Sequence, residues 1–157
     1  VIGTVSTDEK ARLVYQAGAD YVINYSDKDF EEEVNKISDG EGIQVVYDAV
    51  GLTTFDKSIA CLAHRGYMVL YGQASGPVPP VSPLTLNRKS LFLTRPTLVS
   101  YTATRRELLQ RAGDVLEWVQ SHKLNLSIHG QFPLADASQA HQQLEGRLTT
   151  GKLLLIP

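Results

Sequence analysis

Ser6, Thr7 and Lys10 stand in the stretch STDEK, directly behind the apolar run VIGTV that opens the chain. Two hydroxyls with their backbone amides, and an ammonium one helical turn further on, are the donors that a bound phosphate needs. Asp8 and Glu9 cut against this reading, unless they serve the dipole of a helix N-terminus and point away from the anion. The alternative leaves Lys10 as a solvated helix residue. Gly51 in YDAVG and Gly72 in VLYG raise a second question, because each follows an apolar run and a missing side chain there lets a ligand approach the backbone. A turn that needs a positive φ would explain each glycine alone; the recurrence at two strand ends favours the ligand. Asp48 can be a buried acceptor for turn amides or a cofactor neighbour, and the first role is favoured. His64, His122, His129 and His141 lack the spacing of metal ligands, and Cys61 lies in an amphipathic stretch, so structural roles and no metal site are expected.

The elements that must position these residues alternate along the chain. Val1–Val5 reads as a strand, and a helix capped by the Ser/Thr/Asp cluster runs through Tyr15 to a stop at Gly18. ADYVINY is a strand, SDKDFEEEVNKISDG a capped helix, and GIQVVYDAVG a strand whose nearly continuous apolar run implies burial on both faces. A helix over 52–66, with Ile59 and Leu62 among its inward residues, leads to the strand YMVLYG. The proline-rich SGPVPPVSP is too stiff for either element, and SLFLTRP is again a strand. Leu108, Leu109, Ala112, Val115, Leu116 and Val119 mark one face of a helix within 102–124. NLSIHGQFPL is extended, DASQAHQQLEGR a helix and GKLLLIP a last strand.

Composition bounds the function. A chain of 157 residues, 43% hydrophobic and 20% charged, suits one domain. A net charge of −2 with both signs interleaved offers no basic stripe for nucleic acid. No apolar run approaches the ~20 residues of a membrane span, and a single cysteine suits the reducing cytoplasm. Short apolar strands alternating with helices predict an α/β domain with a doubly wound, Rossmann-like parallel sheet. Such sheets bind ligands beyond the carboxyl ends of their strands. The candidate residues are therefore Ser6, Thr7 and Lys10, then Tyr25, then Val50 and Gly51, then Gly72, Gln73, Ala74 and Ser75, and last Arg95, Pro96, Thr97 and Leu98.

The ordered stretches "GTVST..K", "GA..VINY", "VVYDAVG", "RG.MVLYG..SG", "TRPTL" and "A..LE.R...GK.LL.P" resemble the cofactor domain of NADPH-dependent quinone reductases, the zeta-crystallin branch of the medium-chain dehydrogenase/reductase superfamily. The resemblance covers Val1 to Pro157. It implies a first strand and a glycine-rich phosphate turn ahead of Val1, and a catalytic domain ahead of those. No G-x-G-x-x-G occurs in this chain, so the sequence is expected to be part of a longer one, with the missing strand at the centre of the sheet between those at Val1 and Val45. A domain that prefers NAD ends its second strand with an acid; here the position falls near Ser6, which suits NADPH. The resemblance further places Lys10, Tyr25 and Arg147 around the adenosine 2′-phosphate and Arg95 to Leu98 beside the nicotinamide. Tyr101, Arg105 and Arg106 fit that side or a plain helix start equally. It implies a small quinone or α,β-unsaturated carbonyl as substrate, no catalytic acid or base in this portion, no turnover by this portion alone, and a homodimer through the edge strand Ser90–Pro96. The alternative is a nucleotide-binding or crystallin-like structural module without turnover.

Overall fold

The structure, a computed structural model, describes residues 1–146 and 148–157. They fall into two units, Val1–Ser100 and Tyr101–Pro157. In the first, β1 (Ile2–Val5) and β2 (Tyr21–Asn24) pair in parallel with Val5 opposite Asn24, and α1 (Asp8–Gln16) connects them. The Thr7 hydroxyl caps α1 by accepting from the Lys10 amide at 3.3 Å. Behind β2 comes α2 (Phe30–Ile37), opened by Asp29, whose carboxylate caps the Glu31 amide and also takes the Lys57 ammonium.

A second parallel sheet has the order β3 (Ile43–Asp48), β4 (Leu62–Leu70), β5 (Phe92–Thr94), with α3 (Phe55–Ala60) between its first two strands. The one-turn helix α4 (Leu84–Asn87) precedes β5, and α5 (Leu98–Tyr101) follows it. One core cluster joins Phe55, Ile59, Leu62, Met68, Leu70 and Leu91. Leu62 and Met68 are fully buried, each worth about 1.5–3 kcal/mol against exposure. A second cluster of Ile23, Val34 and Cys61 is flanked by Ile2 and by Ile43 and Val46, so β1, β2 and β3 share a core although no strand joins the two sheets among the described residues. Among the described residues β1 pairs only with β2 and β3 only with β4. That leaves the backbones of β1 and of β3 unpaired on one side among the described residues.

The second unit contains α6 (Arg105–Gln120), β6 (Ile128–Pro133), α7 (Ala137–Glu145) and β7 (Lys152–Ile156), with β6 and β7 paired in parallel. A capping box between Thr104 and Glu107 starts α6. Its apolar stripe is solvent-accessible, and no residue of the helix is buried. No helix of the described residues is long and apolar enough to cross a membrane.

Two expectations change. The helix expected over 52–66 ends at Ala60, and β4 begins at Leu62, opposite Ile43. The register then shifts before Val45 meets Tyr67, and Arg65 sits at φ 60°, so the irregular first half of β4 imitates helical spacing in the sequence. Leu62 is thus inward, but as a strand residue. Nor is β3 buried on both faces. Val46 packs inward and Asp48 is buried, whereas Val45 is 39% and Tyr47 73% exposed, on the face where Tyr67 stacks on Phe92 with ring centroids 4.5 Å apart.

Candidate functional site

Parallel pairing puts the carboxyl ends of paired strands on one side of their sheet, and two clusters of candidate residues follow from it. The first lies beyond β1 and β2. The Tyr25 amide donates to the Val5 carbonyl at 2.9 Å, and the Ser26 hydroxyl donates to the Ser6 carbonyl at 2.8 Å, so the two strand ends are tied together. Ser6, Thr7 and the exposed Tyr25 therefore stand at these joined ends, and the half-buried Lys10 follows in the first turn of α1. The positive end of α1 opens at Thr7. Asp8, the acid that argued against an anion here, accepts from the Asn24 side-chain amide at 3.1 Å, and the same amide also donates to Asp27. Sequence reading passed over Asn24; its place at the end of VIN, one strand away from Asp8, was the available signal. Hydroxyls, helix amides and an ammonium form a donor set that fits a phosphate.

The second cluster lies beyond β3, β4 and β5. The turns after β3 and β4 interlock through their backbones. Tyr71 and Gly72 amides donate to the Asp48 carbonyl at 2.9 and 3.3 Å, Ala74 to Ala49 at 3.1 Å, Ser75 to Val50 at 2.8 Å, and Leu52 to Gly76 at 3.2 Å. The Ser75 hydroxyl also donates to the Val50 carbonyl. This interlock explains both glycines. A Cβ on Gly72 would stand 2.3 Å from the Ala49 carbonyl oxygen, and one on Gly51, at φ 88°, 2.9 Å from that of Gly76. The space a side chain would take is thus filled by neighbouring backbone, and the requirement for glycine comes from the fold of the turns themselves. Val50, Gln73 and Ala74 remain exposed on the outer surface of this double turn.

Asp48 is the buried acceptor of the β3-end turn. Its Oδ1 accepts from the Val50 and Gly51 amides at 2.7 and 3.0 Å, and its Oδ2 from the Thr54 and Ser58 hydroxyls at 2.7 and 2.8 Å. Burial pushes its carboxyl up, but the bonds from Gly51, Thr54, Ser58 and Val50 outweigh that and hold it below the usual carboxylate value. Thr54 and Ser58 were not singled out from sequence. Their signal was two hydroxyls four residues apart, on one face of a helix that otherwise turns Phe55 and Ile59 inward.

Beyond β5, Arg95 is exposed and donates to the Pro96 carbonyl at 3.4 Å, while Thr97 caps α5 by accepting from the Ser100 amide, and Leu98 is 76% exposed. In the second unit, Arg105 and Arg106 occupy the first turn of α6, and the Tyr101 carbonyl accepts from Arg111 at 2.7 Å. Arg147 lies outside the described residues. Cys61 is the C-cap of α3; burial, with Glu31 nearby, pushes its thiol up to about 11, which leaves it inert as a nucleophile.

A family profile described as zinc-binding dehydrogenase matches residues 17–155. The 2-haloacrylate reductase of a Burkholderia species is 42% identical over the whole chain. The structure of Escherichia coli quinone oxidoreductase complexed with NADPH superposes with a TM-score of 0.94 at 42% identity, over 99% of this chain and 49% of that one. A mycobacterial protein complexed with NADPH gives 0.92 at 48% identity, over all of this chain and 50% of that one. The chain spans about half the length of the curated relatives it matches. The metal in the family description finds no fit here: among the described residues no three His, Cys, Asp or Glu side chains come together to hold one. A parallel α/β architecture and a family profile matched over most of its length make this chain a member of the zinc-binding dehydrogenase family, with similarity to quinone oxidoreductases, medium-chain dehydrogenases/reductases, along its whole length.

Proposed function

We propose that this chain is the NADPH-binding portion of an oxidoreductase that delivers hydride to a quinone or an α,β-unsaturated carbonyl. The observation that carries the reading is the tie between the ends of β1 and β2, which sets Ser6, Thr7 and Tyr25 beside the first turn of α1, where Lys10 stands, with the neighbouring acids Asp8 and Asp27 both bonded to the Asn24 side-chain amide. NADPH supplies the hydride from its nicotinamide ring; the chain binds and orients it. Ser6, Thr7, Lys10 and Tyr25, joined by Arg147, receive the adenosine 2′-phosphate. Val50 and Gly51, with Gly72, Gln73, Ala74 and Ser75, form the floor under the dinucleotide, and Arg95, Pro96, Thr97 and Leu98 lie on the nicotinamide side. No side chain of this portion serves as acid or base. The reading is supported by relatives named for quinones and for 2-haloacrylate, an electron-poor alkene, and by two relatives solved with NADPH.

The test is to follow NADPH absorbance with a simple quinone and with 2-haloacrylate, using the protein at its natural length and residues 1–157 alone. Turnover with one acceptor by the natural-length protein, and none by residues 1–157, is expected, because hydride transfer needs donor and acceptor held about 3–3.5 Å apart between both walls of a cleft. Tight NADPH binding without turnover on either acceptor would favour a nucleotide-binding module instead. With one buried cysteine the proposed compartment is the cytoplasm.

Assembly is part of the proposal. β5 is the edge strand of its sheet and Phe92 is 49% exposed, so the Ser90–Pro96 segment offers unpaired backbone groups and an aromatic face to a second copy. Phe92→Pro removes one edge N–H and the Tyr67 stack. Light scattering on the natural-length protein should show a dimer that becomes monomeric in this variant while circular dichroism stays native. A dimer that survives would place the interface elsewhere.

A further inference from the structure

The double turn beyond β3 and β4 has a property that its amino-acid types alone do not reveal. In its first half, Ala49 to Gly51, the backbone is largely engaged internally. The Val50 and Gly51 amides donate to Asp48, the Ala49 and Val50 carbonyls accept from Ala74 and Ser75, and the Gly51 carbonyl accepts from Thr54 and Phe55. What the β3-end turn presents outward is the Val50 side chain, 37% exposed. A ligand meeting this turn therefore finds an apolar knob rather than hydrogen-bond donors.

Asp48 determines where that knob stands. It is 5% exposed, and its two oxygens are divided: Oδ1 takes the two turn amides, and Oδ2 takes the Thr54 and Ser58 hydroxyls of the following helix. A carboxylate held rigidly on one side and bonded to the turn on the other fixes the turn against α3. We propose that Asp48 is a positioning residue for the cofactor: it turns the Val50 and Gly51 amides inward and so aims the Val50 side chain at the apolar face of a ring or ribose of the bound dinucleotide. This rests on the NADPH reading above and adds a residue to it, together with the chemistry of the contact.

The variants are Asp48→Ala, Asp48→Asn, Val50→Ala, their double combination Asp48→Ala with Val50→Ala, and Ser58→Ala as a control that removes one Oδ2 bond only. All are made in the natural-length protein, with NADPH affinity from fluorescence titration and melting temperature from circular dichroism. Asp48→Ala should raise the NADPH Kd about tenfold, the scale of a contact misplaced through a lost support, while kcat at saturating NADPH changes less than about twofold. Val50→Ala should raise Kd by a similar factor, and the double variant no further than Asp48→Ala alone, because both changes remove one contact. Asp48→Asn keeps an oxygen for the turn amides and should recover most of the affinity. Ser58→Ala should lower the melting temperature but change Kd less than about twofold, because the Thr54 hydroxyl still holds Oδ2 and both turn amides still hold Oδ1. If Asp48→Ala does not fold, the comparison of Asp48→Asn and Ser58→Ala with Val50→Ala decides: loss of affinity in Ser58→Ala equal to that in Val50→Ala would mean that general destabilisation, not positioning, sets affinity. An unchanged Kd in Val50→Ala overturns the proposal outright. Wild-type protein that fails to bind NADPH at all overturns the cofactor reading instead, and is seen before any variant is made.

Discussion

Replacing Gly72 by alanine should cost about 3 kcal/mol of stability or more, at the upper end of what overpacking in a well-ordered region does. The added Cβ would lie 2.3 Å from the Ala49 carbonyl oxygen, 2.7 Å from its Cα and 2.8 Å from its carbonyl carbon. All three are backbone atoms, so no side chain can rotate to relieve the contact. Relief requires the turns after β3 and β4 to separate, which strains or breaks the bonds from Tyr71 and Gly72 to the Asp48 carbonyl and from Ala74 to Ala49. Those bonds also hold the Asp48 carboxylate over the Val50 and Gly51 amides, so the loss reaches the candidate site as well as the core. The contrast is Gly113→Ala in α6, where nothing stands within 4 Å of the new Cβ; that change should be neutral or stabilise by about 0.5–1 kcal/mol through helix propensity. Urea unfolding of the two variants beside wild type separates the cases. A Gly72→Ala protein that unfolds at the wild-type midpoint would show that the turns are looser than their hydrogen bonds imply.

Gly72 also illustrates how much of this molecule its sequence discloses. Apolar, β-branched runs closed by glycine or an N-cap were sufficient to place β1, β2, β3 and β5 and the helices α1 and α2, because burial and capping act within a few residues. The strand-end candidates followed from the parallel topology alone. What sequence could not supply was which atoms fill the space above a glycine, since Ala49 and Gly72 meet only after two strands have paired. The same holds for Asp48: its two possible roles were both visible, and only the folded turn decides that the carboxylate faces backbone amides and hydroxyls. Leu62 was misplaced for a different reason. A bulged strand start with Arg65 in a left-handed conformation has no clean period of two, and the apolar spacing from Ile59 to Leu62 continues that of the helix before it. Val45 and Tyr47 went wrong because an apolar strand reads as buried on both faces whether or not this chain provides a cover for both.

The division between cofactors should follow from Lys10. In the natural-length protein, Lys10→Ala should weaken NADPH binding by about 1.5–3 kcal/mol, the range of a hydrogen bond to a charged group, and leave NADH binding within about twofold. The two cofactors differ only by a phosphate on the adenosine ribose, so a group that affects one and not the other must act on that phosphate. Lys10 is half-buried in the first turn of α1, behind the Thr7 cap, where the helix already favours an anion. Partial burial keeps its field less screened than that of a fully solvated lysine, yet the preference for NADPH should still shrink as salt is raised. Asp8 bears on the size of the effect. With its carboxylate bonded to the Asn24 amide, the acid opposes the phosphate less than its position in STDEK suggests. The proposal assigns Arg147 to the same phosphate as a second cation, and on that reading the variant should weaken NADPH without abolishing its binding. Fluorescence titrations of both cofactors against wild type and Lys10→Ala, at low and at moderate salt, decide the matter. Equal losses for NADPH and NADH would mean that Lys10 supports the fold of α1 and not the phosphate, and a NADPH loss that ignores salt would remove the electrostatic argument from this end of the sheet.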